Sequence, residues 1–313
     1  MNDISSQPVA IVENTTTVSR TDLAEAVRAT ALLADLTISM WSAEKTDRTI
    51  GDKLKEDAGA IGNTGRYVKN LLAGCDTTLK GVKAAYAQAR NTHYTLTLPW
   101  VSNPHAERQT GSRLLPNLLF ERYLTEMSTL RRAAEAKLAA FCEEYPDLVT
   151  QAMANLAGLA QPTDYPSVDQ VQASFKLSFD FTPIPAGSAF QGLRDDVLTS
   201  LSKALQRKQE KAVQASQAAM WERVREATGH LIERLSDQDK MFKASTVESV
   251  RELITLLPGF NCAGDPRVHD VVADIQSMLD GVDAEALRKD AGTRSETARR
   301  AQALTDKLNA MGV

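Results

Sequence analysis

Apolar and polar positions along the chain follow two rhythms, and the switches between them predict the architecture. In SFKLSFDFTP, residues 174–183, Phe175, Leu177, Phe179 and Phe181 alternate with Lys176, Ser178 and Asp180, the period-two pattern of a strand with one covered face. Two shorter stretches repeat it: Leu36, Ile38 and Met40 in DLTISMW, and Tyr94, Leu96 and Leu98 in HYTLTLPW, where Pro99 removes a donor and ends the pairing. A lone strand leaves its backbone groups unsatisfied, so three of them predict a small antiparallel sheet covered by helices on its apolar face.

The rest of the chain keeps a helical rhythm. Phe120, Leu124, Met127, Ala134, Leu138, Phe141 and Tyr145 recur at steps near four and three behind Pro116 and Asn117, which predicts one long arm. A second runs from about Asp195 to Asp237. There Leu198, Leu201, Leu205, Ala212 and Ala215 keep one seam, and Trp221, Val224, Leu231 and Leu235 keep a second, shifted one. A helix of about 40 residues is roughly 60 Å long and needs company along most of its seam.

Shorter helices are predicted at Leu23, Val27, Ala31 and Ala34 behind Asp22 and Glu25, from about Asp52 to Asp57, through Tyr67, Val68, Leu71 and Leu72, and from about Thr77 to Ala89. In the last third, Ser245 with Glu248 reads as a capping box, and Asp265 with Pro266 as a cap and first helical position. A final helix covers about Thr293 to Met311. The expected fold is mainly α with a small β element: long, coiled-coil-like helical arms on a roughly three-stranded antiparallel sheet. Residues 1–20 read as a flexible tail, 21–240 as the sheet platform with its arms, and 241–313 as a C-terminal helical region.

Composition narrows the function classes. Aromatic residues make up only 5% of the 313, which suits close helix packing by Ala and Leu. The net charge of −4 leaves no global field for nucleic acid, so any such contact needs a local patch. Cys75, Cys142 and Cys262 are odd in number, far apart and without CxxC spacing, which predicts neither a disulfide framework nor a zinc knuckle and fits a reducing cytoplasm. The first ten residues lack the apolar core of a secretory signal, and no window reaches 18 consecutive apolar residues, so no membrane association is expected.

Candidate chemistry is sparse. Gly59, Gly62 and Gly65 match neither GxGxxG nor GxxxxGK[ST] and read as a hinge, although Arg66 and Lys69 follow close enough to touch an anion. Cys262, Asp265, His269, Asp270 and Asp274 form the densest set of potential ligands, but without the close pairs of a zinc site or the alternate carboxylates of a hard-cation loop. Ser188 in AGSAF lacks the GxSxG elbow. Trp41, Trp100 and Trp221 read as packing residues. No catalytic, cofactor-binding or metal-binding residues are therefore nominated, and no cofactor is expected.

Two basic stretches stand out. Lys203, Arg207, Lys208 and Lys211 face Glu210 alone, with Lys203, Arg207 and Lys211 along one helical face. Arg288, Lys289, Arg294, Arg299, Arg300 and Lys307 outnumber three carboxylates near the C-terminus. Such faces can track phosphates.

The order of MWSAEKTD, YTLTLPW and LSFDFTPI, separated by helical segments and followed by a very long helix, resembles an uncharacterised family of phage and mobile-element proteins over roughly residues 30–240. The resemblance implies a phage or mobile-element origin, a bacterial cytoplasm, and in some relatives a neighbouring MoxR-type AAA ATPase and a metal-ion-dependent adhesion protein. No catalytic residues come with it. The expected function is a non-enzymatic accessory or scaffold protein working by helix-mediated assembly, as a homo-oligomer or with a protein partner such as an AAA ATPase. Leu198, Leu201, Leu205, Trp221, Val224, Leu231 and Leu235 are the candidate contacts. The alternative is a nucleic-acid-associated factor in phage replication or recombination, using Lys203, Arg207, Lys211, Arg294, Arg299 and Arg300.

Overall fold

The computed structural model describes residues 20–62, 65–100, 111–186, 194–236 and 243–312. The expected tail (apart from Arg20) and Ser188 lie outside these residues. The chain opens with α1 (Arg20–Thr30) and passes directly into β1 (Ala31–Ser39). A short excursion follows: β2 (Glu44–Thr46), α2 (Arg48–Asp57) and β3 (Val68–Asn70). Next come α3 (Thr77–Leu96), β4 (Leu98–Pro99), β5 (Arg113–Pro116) and the 37-residue α4 (Phe120–Leu156). The short α5 (Val168–Ser174) leads into β6 (Lys176–Thr182), and then comes the 42-residue α6 (Asp195–Ser236). The chain finishes with α7 (Ala244–Phe260), α8 (Arg267–Leu279), α9 (Ala284–Lys289) and α10 (Ala291–Ala310).

The sheet is antiparallel, in the order β4-β5-β1-β6, with β2 and β3 paired separately. It therefore holds four strands rather than three. The strand β6 sits where its alternation predicts, with Phe179 opposite Leu36 and Phe181 opposite Ala34 on β1. Phe120 and Tyr123 meet Phe179 and Phe181 of β6 edge-on at centroid distances of 5.0 to 6.0 Å, which joins the sheet to the start of α4.

Four boundaries differ from the sequence reading. Ala31 and Ala34, expected on the first helix, lie in β1, because this strand is paired on both sides and sheet formation overrides the helix preference of alanine. Tyr94 and Leu96 belong to α3, where Leu79, Val82, Tyr86, Ala89, His93 and Leu96 keep a helical seam. Only Leu98 and Pro99 pair as a strand. Val68 lies in β3 rather than a helix. The strand β5 went unforeseen: all four of its residues, RLLP, are buried, so no alternation marks it.

Two caps also shift. The helix α7 starts at Ala244 with no side-chain cap from Lys243, so Ser245 is inside the helix. Asp265 does serve the start of α8, accepting from the Arg267 backbone N–H at 3.0 Å, but Pro266 occupies the cap position itself.

Two cores result. One packs α3 against α4 through Leu79, Val82, Tyr86, Leu138 and Phe141, and Trp41 lies 6.5 Å from the Phe141 ring and 5.6 Å from that of Tyr145. The other unites the sheet with α1, α6, α7, α8 and α10. Leu231, Leu257, Ile275 and Leu304 share it, so the expected boundary near residue 240 runs through a continuous core.

Candidate interaction surface

The long helix α6 changes surroundings along its length. In its C-terminal half Trp221, Val224, Leu231 and Leu235 are buried, Val224 and Leu231 completely. The helices α7 and α10 lie against this half, with Leu253, Leu257, Ala301, Leu304 and Leu308 in the same core. Arg294 of α10 donates to the backbone carbonyls of Leu235 at 2.9 Å and Arg234 at 3.0 Å, closing the negative end of the α6 dipole. The Arg267 guanidinium stands 5.6 Å above the Trp221 ring. Trp221, Val224, Leu231 and Leu235 thus have their partners inside the chain.

Toward the N-terminus the cover thins. The helix α1 meets α6 where Arg28 donates to the Gln209 side chain at 3.0 Å, and Gln209 donates in turn to the Pro185 carbonyl. Beyond that clamp Leu198 and Leu205 are half-buried, and Val197 and Leu201 are each 38% exposed. Asp195 and Asp196 lie in the first turn, where the helix dipole favours negative charge.

The basic residues divide the same way. Lys203, Arg207, Lys208 and Lys211 are exposed on α6, and among the described residues none has an ion-pair partner. Arg299 and Arg300, by contrast, share Glu296, each at 2.8 Å, and their hydrogen bonds pull that carboxyl down to about 2. Arg294 is committed to the end of α6. Among the described residues the cations of the first stretch have no carboxylate partner, whereas Lys289, Arg299, Arg300 and Lys307 of the second each have one.

Two buried polar knots carry the strongest electrostatic perturbations, and sequence spacing announced neither. Lys69 of β3, 5% exposed, donates to Asp164 at 2.6 Å, to Asp47 at 3.0 Å and to the Leu159 carbonyl at 3.0 Å. The Asp164 bond leads in raising the lysine. Burial works against Asp164 ionising, but hydrogen bonds from Lys45 and Lys69 outweigh it and hold the carboxyl well below its usual range.

The second knot closes α3. Arg113 donates to Thr97 through its side-chain oxygen at 2.7 Å and its carbonyl at 3.2 Å. Arg223 donates to the carbonyls of Tyr94, Thr95 and Thr97 at 2.7, 3.0 and 2.6 Å. The orphan carbonyls of a helix end stand in for counter-carboxylates. Burial lowers both guanidinium groups to about 10. One turn back, His93 shares a 2.8 Å hydrogen bond with Tyr123, and burial drops the imidazole to about 4, so it is neutral at pH 7.

Lys69, Asp164 and Arg113 are spent on one another and on backbone, whereas Arg223 also lines an open cleft of about 440 Å³ with Tyr94, Glu226 and Glu252. Cys262 is buried, which pushes its thiol up to about 11, and His269 is exposed. Among the described residues no three His, Cys, Asp or Glu side chains are placed to hold a metal ion. No described helix is long and apolar enough to cross a membrane. Compared with family models, curated proteins and solved structures, the chain matches none.

Proposed function

We propose that this protein is a non-enzymatic accessory or scaffold protein of a phage or mobile element, acting through helix-mediated assembly, and that the open end of α6 is its contact. The observation carrying this reading is the thinly covered stripe of Val197 and Leu201, each 38% exposed, with Leu198 and Leu205 half-buried beside them, ahead of the shifted seam that α7 and α10 cover further along. Its best-matched occupant is a second copy of the same stretch. With Leu201 on a twofold axis, antiparallel pairing sets Asp195 and Asp196 of one copy level with the Lys203–Lys211 stretch of the other, whereas parallel pairing sets like against like. Three helical turns make a small contact, so the expected dissociation constant is roughly 10 μM or weaker. Sedimentation velocity across a concentration series should show a monomer–dimer equilibrium that Leu201→Glu abolishes. A wild-type monomer at every concentration, with no partner such as an AAA ATPase retained from host cells, removes the proposal.

A second reading, a nucleic-acid-associated factor in phage replication or recombination, is favoured by the unpaired Lys203, Arg207, Lys208 and Lys211. Lys203→Glu with Arg207→Glu should then lower DNA retention more than Arg299→Glu with Arg300→Glu, and retention should fall steeply with salt. Wild-type protein that retains neither single- nor double-stranded DNA at low salt excludes this reading.

A further inference from the structure

The excursion between β1 and α3 is tied down at its base yet left open at its side. Lys69 fixes the base through Asp47 and Asp164, but α2 buries none of its residues. Between α2 and the backbone at Gly65–Tyr67 runs a cleft of about 460 Å³, lined by Arg48, Asp52, Lys55, Arg66 and Tyr67 with Thr46 and Asp47 at one end. Arg48 and Lys55 are two turns apart on one face of α2. Gly51 lies between them, and an added side-chain carbon there would sit 3.7 Å from the Tyr67 backbone nitrogen, an ordinary contact, so the approach of the two segments is close without requiring glycine.

The charge in the cleft is unbalanced. Among the described residues Arg48, Lys55 and Arg66 have no ion-pair partner, and of the two carboxylates Asp47 is engaged by Lys69 and by the Ile50 backbone N–H. Three free cations thus face one free carboxylate, Asp52, in a chain of net charge −4. A volume at the lower end of the range for small-ligand sites, with planar guanidinium donors and an aromatic wall, fits a phosphorylated small molecule.

We propose that this cleft binds such a ligand, with Arg48, Lys55 and Arg66 on the phosphate and Tyr67 beside the organic part. The glycine spacing at 59, 62 and 65 is no phosphate-loop fingerprint and contributes nothing beyond a turn. The inference stands apart from the α6 contact.

Calorimetric titration of the full chain at low salt, with adenosine 5′-monophosphate and with pyrophosphate, tests it. Saturable binding of the nucleotide is expected, weakened about tenfold by Arg66→Gln or Lys55→Gln. Asp52→Asn should tighten it about threefold, and Lys208→Gln on α6 should leave it unchanged. Arg66 is exposed, so its substitution does not threaten the fold. No saturable binding of either anion up to about 10 mM, or an equal loss with Lys208→Gln, overturns the site. Pyrophosphate binding tighter than the nucleotide overturns the role given to Tyr67.

Discussion

The two halves of α6 share a helix and a spacing of apolar residues but not an environment. Around Val224 and Leu231 the seam is filled by α7 and α10, while around Val197 and Leu201 it is partly exposed. Heptad-like spacing therefore says that a helix face wants cover and nothing about who supplies it. Here the chain covers the half that holds its own fold together, and the open N-terminal end is the surface on which the proposed assembly role rests.

The sharpest way to break this contrast is a pair of charge insertions. Leu231→Asp places an unpaired carboxylate at a fully buried position and should cost about 4 kcal/mol or more, enough to threaten folding. Leu201→Asp, about eight turns back on the same helix, should change stability by less than about 0.5 kcal/mol. Denaturant unfolding of both variants checks this, and similar losses would erase the distinction between the halves.

The covered polar knots should behave like the covered half. Lys69→Ala leaves Asp164 with Lys45 and Asp47 with the Ile50 N–H, and is expected to cost about 1–3 kcal/mol in the same assay through the lost charge-assisted hydrogen bonds. Because Asp164 ionises more readily in the folded chain, its contribution is present above the ordinary carboxylate range and fades as pH falls toward its lowered folded value. That of Lys69, raised by folding, is full below 10.5 and fades only as pH climbs through its folded value.

His93 supplies a comparable effect with its own pH window. Its folded value of about 4 lies below the ordinary 6.5, so under pH 6.5 the unfolded chain takes up a proton that the folded chain refuses. Stability should fall by about 3 kcal/mol between pH 6.5 and 4 on this account, and His93→Gln should flatten that part of the curve. An unchanged slope in the variant would mean that the imidazole is solvated.

Smaller still is the contrast across β6. Phe179→Asp, set among Tyr123, Phe181 and the Arg131 guanidinium, should cost about 2 kcal/mol, while Asp180→Ser on the exposed side should be nearly neutral. Equal tolerance would mean that the sheet face is not covered.

What was legible in the sequence follows from range. The helices α4 and α6 and the strand β6 were readable because each repeats one period over enough residues to exclude the other. The α3 end was misread because Tyr94, Leu96 and Leu98 satisfy an alternation while His93 and Leu96 also complete a helical seam, and only Pro99 with its partner Arg113 settles where pairing begins. The strand β5 offered no alternation to read. Of the α6 seam residues expected to meet a partner, Trp221, Val224, Leu231 and Leu235 are covered by α7 and α10, tens of residues further on, which no local pattern encodes. Lys69 and Asp164 are 95 positions apart, and Arg113 and Arg223 meet only because the end of α3 is presented to both.

The α6 contact can be tested most directly by chemistry at its proposed axis. Cys75 and Cys262 are buried and Cys142 is half-buried, so a cysteine placed at the open end of α6 would be the most accessible thiol among the described residues. Under mild oxidation Leu201→Cys should form a covalent dimer through two copies of position 201, far faster than Ala218→Cys at an exposed site further along the same helix. Equal, slow cross-linking of the two variants would contradict pairing at this end of the helix.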